Sequence, residues 1–187
     1  MIQVLERAHP ASRAVGVGAC VLLVDWSRAL LEREPGFAFT ALVLGGVALA
    51  MVALGCPAER LGLGKSRFGL RVLGGLALGA VLLLPGAARS GGAPILPAGL
   101  ALAAVAVSVG EELAFRGVLY AVLEEVGGAP LAIVGSTVLW TAAHVMSHPP
   151  AFLGAVAAAG LLLALWRWAC RDLVAPVVGH VIADLAL

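Results

Sequence analysis

The chain has 187 residues, of which 61% are hydrophobic and 12% charged, and its formal net charge is +1. A soluble domain is nearer half apolar and a quarter charged, so an excess of this size must face lipid. The near-zero net charge supplies no basic field for nucleic acid. The length is that of one domain, and the composition makes residues 1–187 a single integral membrane domain: an all-α, polytopic transmembrane helix bundle.

A spanning helix takes about 20 apolar residues. Seven stretches qualify, roughly 14–31, 37–56, 69–86, 97–123, 130–147, 150–168 and 173–187. They are separated by helix-ending residues or charge at Glu34-Pro35-Gly36, Gly55-Cys56-Pro57, Ser90 to Pro97, Gly127 to Pro130, Pro149-Pro150 and Arg171-Asp172. The first stretch follows Arg7 and Arg13, as a signal peptide would. It carries Asp25, however, and no small-x-small cleavage site follows it, so it is read as a retained helix.

The three N-terminal helices, within 14–86, carry no chemical motif. Asp25 is read as a helix-end or packing residue. Gly62-Leu63-Gly64-Lys65-Ser66 resembles a phosphate loop only in part, because Glu59 stands where that loop needs its first glycine; a basic juxtamembrane loop is the expectation. Cys20, Cys56 and Cys170 have no CxxC pairing and are read as free thiols, mostly lipid-buried.

Residues 97–187 differ. Ionisable groups at bilayer depth are costly and mark functional sites by default, and three helices carry them here. They read Glu111-Glu112-Leu113-Ala114-Phe115-Arg116, then Trp140 to His144, then His180 to Asp184. Positions four apart share a helix face, so Glu112 pairs with Arg116, and His180 and Asp184 present together. Glu111 lies fourteen residues before the membrane exit at Glu125, and His144 lies fourteen after re-entry at Pro130. At about 1.5 Å per residue each is about 21 Å from that shared end. His180 and Asp184 are about 10–17 Å in from Leu173 by the same rise, a looser match that requires the fourth helix to protrude or the seventh to start deeper. Glu124 and Glu125 read as a solvated helix end, and His148 as an exposed turn residue.

Lysine and arginine placement gives orientation. With the N-terminus cytoplasmic, Arg7, Arg13, Arg60, Lys65, Arg67, Arg71, Arg167 and Arg171 lie inside, against Arg28, Arg33 and Arg89 outside.

The available chemistry is narrow. Gly-x-Ser-x-Gly, His-Glu-x-x-His and Gly-x-Gly-Asp are all absent. A carboxylate beside an imidazole can take a proton from water and return it to a leaving amine, and a second imidazole can stabilise an oxyanion. Glu111, His144, His180 and Asp184 are also feasible zinc ligands, and spacing alone leaves both readings open. A non-catalytic scaffold or immunity protein is a third. A proton-coupled carrier is disfavoured, since no broken inverted-repeat helices are visible.

The three motifs, in this order and embedded in spans, resemble the CPBP (Abi) family of CAAX prenyl endopeptidases and bacteriocin-processing enzymes. Its signature is Glu-Glu-x-x-x-Arg, an aromatic-x-x-x-His, and His-x-x-x-Asn or Asp. The resemblance covers about residues 97–187. It implies a metal-independent intramembrane endopeptidase with Glu111 as the catalytic glutamate and His144 assisting the water. His180 and Asp184 would bind the scissile carbonyl or its oxyanion, and Glu112 and Arg116 would hold the geometry. No cofactor is implied, and the partner is a membrane-associated protein or peptide substrate. Trp140 stands where Phe is usual, and Asp184 where Asn is frequent. An ionised Asp cannot donate a hydrogen bond, so Asp184 is expected to orient His180. The chain also ends before the eighth helix of longer members. The small Ala/Gly/Leu-rich sequence points to a bacterial inner membrane.

Overall fold

The computed structural model describes residues 9–64, 67–87 (side chains to 84) and 97–186. Arg7, Lys65, Arg89 and most of the break between Ser90 and Pro97 lie outside the described residues, which are helical with no strand.

Helix α1 spans Pro10–Glu32, α2 Ala38–Met51, the short α3 Ala58–Leu61, and α4 Phe68–Ala87. Then α5, Ala98–Glu111, runs without interruption into a π-helical segment, Glu112–Leu119, and on into α6, Tyr120–Ala143. Gly127 and Gly128 leave helical geometry inside α6, with Gly128 at φ 71°. That positive φ is open to glycine at little cost. The chain turns back there, so α6 has a first arm that completes the fourth span and a second arm that is the fifth. Helix α7 is Leu153–Cys170 and α8 is Val174–Ala186. The bundle therefore has the seven spans expected from hydropathy. Segments Pro10–Glu32, Ala98–Met146 and Pro150–Cys170 are long and apolar enough to cross a membrane, while Ala38–Met51, Phe68–Leu84 and Val174–Ala186 are apolar but shorter.

Lipid tails are as apolar as leucine, so membrane helices associate by close packing of small residues. Helix α4 turns Gly75 and Gly79 to α8, where an added methyl would meet Val178 and Ile182. Its Leu70, Leu73, Leu76 and Leu84 face outward. Helices α2 and α5 touch backbone to backbone at Gly46 and Gly110. The second arm of α6 packs on α7, and α1 packs on both α2 and α6.

The end carrying Arg60, Arg71, Arg167 and Arg171 is tied by polar contacts. Asp172 accepts from the amides of Val174 and Ala175 at 2.9 and 3.1 Å, capping α8, and from Arg71 Nε at 2.6 Å. Arg71 also donates to the carbonyls of Gly62 and Gly64. Leu173 is fully buried against Leu61, Val118 and Val122, and its amide donates to Gly62 O at 3.1 Å. Helix α8 thus starts level with the last turns of the fourth span rather than at its tip. Of the two ways to bring His180 to the level of the carboxylates, the structure takes the deeper start of the last helix.

Glu124 and Glu125 form the solvated end expected of them, pairing with Arg171 and with Arg13 and Arg60. The three cysteines are free, with Cys20 and Cys170 on the outer surface.

Candidate active site

Successive residues on a helix point about 100° apart. Glu111 and Glu112 therefore address different neighbours although both are buried, Glu111 at 2% exposure and Glu112 at 0%. They sit where α5 passes into the π-helical segment, a local widening that recurs at functional sites.

Glu111 faces α1 and the second arm of α6. Its Oε2 accepts from Trp140 Nε1 at 2.8 Å, and its Oε1 accepts from Arg28 Nη2 at 3.3 Å. His144 Nε2 is 3.8 Å from Oε2. The other ring nitrogen, Nδ1, lies 2.8 Å from Trp140 O. A carbonyl only accepts, so Nδ1 carries a proton and Nε2 of a neutral ring keeps its lone pair toward Glu111. The separation is too long for a direct hydrogen bond. It suits a water that donates to both groups at once.

Glu112 faces α8. Its Oε1 accepts from Arg116 Nη1 at 2.9 Å and lies 3.0 Å from His180 Nδ1. Arg116 is fully buried, donates from Nη2 to Gly160 O at 3.2 Å, and lies 4.2 Å over the Trp140 ring. An isolated charge at this depth would be prohibitive; here the guanidinium is paired, hydrogen-bonded and stacked. His180 Nε2 is 3.4 Å from Asp184 Oδ2, and Ser108 Oγ donates to that same oxygen at 2.7 Å. Asp184 is half-buried, unlike the two glutamates. The indole links the two groups: its ring centroid is 4.5 Å from that of His144 and 5.7 Å from that of His180.

Arg28, Glu111, Trp140, His144, His180 and Asp184 contribute to the polar part of a cavity of about 1050 Å³, a volume able to take an extended peptide segment. Its remaining wall is largely apolar and includes Leu42, Leu82, Leu100, Phe152 and Leu162. Arg33, Ser147, His148 and Pro149 line the end nearest the α1–α2 turn. A smaller cleft at the opposite end, about 300 Å³, is lined by Glu59, Arg60, Glu124, Glu125, Arg167 and Arg171.

Of the seven residues singled out in the three motifs, Glu111, Trp140, His144, His180 and Asp184 line this cavity, and Glu112 and Arg116 are fully buried behind them, bonded to His180 and stacked on Trp140. The expectation that Glu112 and Arg116 pair, and that Asp184 lies beside His180, agrees with the geometry. Two expectations are corrected. Asp25 is not a lone packing residue: it is fully buried and ion-paired at 3.0 Å with Arg28, which reaches Glu111. The N-terminal helices, motif-free as they are, thus contribute to the site. His148 is not simply exposed. It is half-buried, stacked on Phe152 at 5.3 Å and 5.1 Å from His144, with burial pushing its imidazole pKa down from the ordinary value. Ser108 was also missed, although it lies one helical turn before Glu111.

Among the described residues no cluster of three or more His, Cys, Asp or Glu side chains has the arrangement of a metal site. The motif-bearing part of the chain, residues 93–186, matches the family model described as type II CAAX prenyl endopeptidase Rce1-like. No curated protein and no solved structure gives a significant match.

Proposed function

The chain belongs to the Rce1-like family of type II CAAX prenyl endopeptidases, and from that premise we propose that it is a glutamate-dependent intramembrane endopeptidase. Glu111 is the group that activates water. The observation that carries the reading is the buried carboxylate of Glu111 facing the lone-pair nitrogen of His144 across 3.8 Å at the floor of a peptide-sized cavity.

One water donates a hydrogen bond to Glu111 Oε2 and one to His144 Nε2, which leaves an oxygen lone pair directed at a bound carbonyl carbon. Glu111 takes the proton as the C–O bond forms. The carbonyl oxygen becomes an oxyanion, and His180, as an imidazolium that gives its Nδ1–H to Glu112 and still carries a proton on Nε2, offers that Nε2–H to it. Glu111 then returns the proton to the amine nitrogen, the C–N bond breaks, and a carboxyl and an amine are released. Asp184 orients His180 and is itself held by Ser108. Glu112 and Arg116 fix the segment that carries both glutamates.

The reading requires no metal, and its zinc-dependent alternative uses the same residues. Dialysis against a chelator leaves turnover unchanged if the glutamate acts on water directly; loss of activity restored by zinc favours the alternative.

The substrate is a membrane-associated protein or peptide with an extended stretch in the bilayer, such as a C-terminal sorting tail, a leader peptide or a CAAX-like tail. The location is a bacterial inner membrane with the chain's N-terminus cytoplasmic. The decisive experiment compares protein termini in the native host carrying the wild-type chain with those in a host carrying Glu111→Gln. Uncleaved termini specific to the variant, with normal amounts of folded protein, support the reading. Identical termini in the two strains overturn it.

A further inference from the structure

Helix α1 lies outside the family-matched segment 93–186, yet it supplies the only cation in contact with Glu111 among the described residues. We infer that Asp25 and Arg28 form a positioning device that holds the Glu111 carboxylate in its reacting orientation; the inference rests on Glu111 being the water-activating group.

The geometry divides the carboxylate's two oxygens between two tasks. Oε1 is engaged by Arg28 Nη2 at 3.3 Å, and Oε2 is turned toward His144. Arg28 is itself aimed. Its Nε and Nη2 both donate to Asp25 Oδ1, at 3.2 and 3.0 Å, one helical turn earlier on α1. Its Nη1 reaches Glu32 Oε2 at 3.5 Å. A guanidinium is a rigid planar fork, so fixing one edge on Asp25 fixes where the Nη2 corner points.

The stem is fixed as well. Gly45 of α2 lies against Cβ, Cγ and Cδ of Arg28, and an added methyl there would come within 2.6 Å of Cδ. Between Asp25 and Arg28, Trp26 Nε1 donates to Ala142 O at 3.0 Å, two residues before His144. One short stretch of α1 thus ties together the helix that carries Glu111 and the helix that carries His144.

Asp25 shows that stability alone does not account for this arrangement. Its side chain is fully buried and its Oδ2 makes no hydrogen bond among the described residues. A buried acceptor left unpaired costs free energy and calls for a reason. Aiming Arg28 supplies one. A merely structural pair would tolerate an amide at position 25, because the amide keeps the volume and the Oδ1 acceptor and Arg28 keeps Glu111 and Glu32 as anionic partners. A positioning pair would not, because the amide loosens the fork.

The test uses Arg28→Met, Arg28→Lys and Asp25→Asn in the full-length protein, with Glu111→Gln alongside. Terminal-peptide proteomics in the native host first identifies the termini that depend on Glu111. Purified proteins in detergent are then assayed on a peptide spanning that cut, with thermal unfolding measured on the same samples. The positioning role predicts that Arg28→Met lowers kcat by about a hundred-fold, the scale of a small misplacement of a reacting group, with little change in KM. Added guanidinium ion restores part of that rate in Arg28→Met and none in Glu111→Gln. Arg28→Lys falls between, and Asp25→Asn loses kcat while unfolding at or above the wild-type temperature.

If Arg28→Met does not fold, Asp25→Asn and Arg28→Lys carry the test. Wild-type kcat in a folded Arg28 variant, or wild-type kcat in Asp25→Asn, overturns the positioning role and leaves Glu111 standing. Wild-type processing by Glu111→Gln overturns the reading of the site itself.

Discussion

The indole nitrogen of Trp140 donates a hydrogen bond to Glu111 Oε2 at 2.8 Å, so the aromatic position of the second motif is polar as well as bulky. A phenylalanine, usual at this place in the resembling family, has no such donor. Trp140→Phe therefore keeps the ring that packs under Arg116 but frees one carboxylate oxygen. A hydrogen bond to a charged group contributes about 1.5–3 kcal/mol, equivalent to roughly ten- to a hundred-fold in kcat if it acts in the transition state. Steady-state kinetics of Trp140→Phe check this: an unchanged kcat would show that the indole only fills space.

Arg116 is a test of structure rather than chemistry. It is fully buried with Glu112, and removing one member of such a pair strands the other, at a cost of about 3–5 kcal/mol. Arg116→Met should lower Tm by about 10 °C in a chain of this size. Glu111→Gln keeps its volume and one of the two hydrogen bonds the carboxylate accepts, and leaves Arg28 paired with Asp25 and Glu32, so it should lower Tm less than Arg116→Met does while abolishing turnover. Unfolding curves of the two variants side by side separate the glutamate that holds the site from the one that reacts.

Much of this arrangement was legible in the sequence. The Glu112–Arg116 pair and the His180–Asp184 pair follow from helical spacing, and the level of Glu111 against His144 follows from counting residues to a shared turn. The π-helical segment was not legible, because no residue type specifies a widened turn; it begins at the second of two adjacent buried glutamates. The deep start of α8 depends on contacts of Leu173 and Asp172 with Gly62 and Arg71, far apart in sequence. Arg28 was hidden by its position near a helix end, where a cation normally reaches water. The signal that could have found it is Asp25-x-x-Arg28, opposite charges one turn apart within an apolar run.

Asp184 offers a gain-of-function test. Its Oδ2 lies near both His180 and Ser108, and an ionised carboxylate cannot donate to an oxyanion. Asp184→Asn keeps an acceptor for Ser108 and adds an N–H pair facing the cavity. One added donor should raise kcat by up to about ten-fold, whereas Asp184→Leu, which removes the acceptor beside His180 Nε2 and leaves Ser108 only Ala104 O, should lower it. A fall in kcat for the asparagine variant equal to that for leucine would mean that the carboxylate's charge is what His180 requires.

The close approach of α2 to α5 sets how near α1 and Glu111 can come. Gly46 and Gly110 meet through their backbones, with no space for a methyl on either. Gly110→Ala should push the helices apart at a cost of about 1–3 kcal/mol, as overpacking does, and should reduce activity, because Glu111 is the next residue. Gly16, on the same bundle, has no atom within 4 Å of an added methyl. Gly16→Ala should be neutral or stabilising by up to about 1 kcal/mol from helix propensity. Thermal unfolding of the pair tells packing from propensity, and equal effects would refute the close-approach argument.

Which side of the membrane the cavity serves follows from charge. Arg13, Arg60, Arg71, Arg167 and Arg171 sit at the end where α1 begins, and the cavity is lined at the other end by Arg33 and the turn around His148. By the positive-inside rule the basic end is expected in the cytoplasm, which predicts a cavity that opens outward and takes substrates from the exported side. In a background with Cys20, Cys56 and Cys170 replaced by alanine, His148→Cys should react with a membrane-impermeant maleimide in intact cells. Arg60→Cys should react only after permeabilisation. The reverse pattern would place the cavity on the cytoplasmic side, and would mean that the arginines at the basic end are held by their partners, such as Asp172, Glu124 and Glu125, rather than by the topology of insertion.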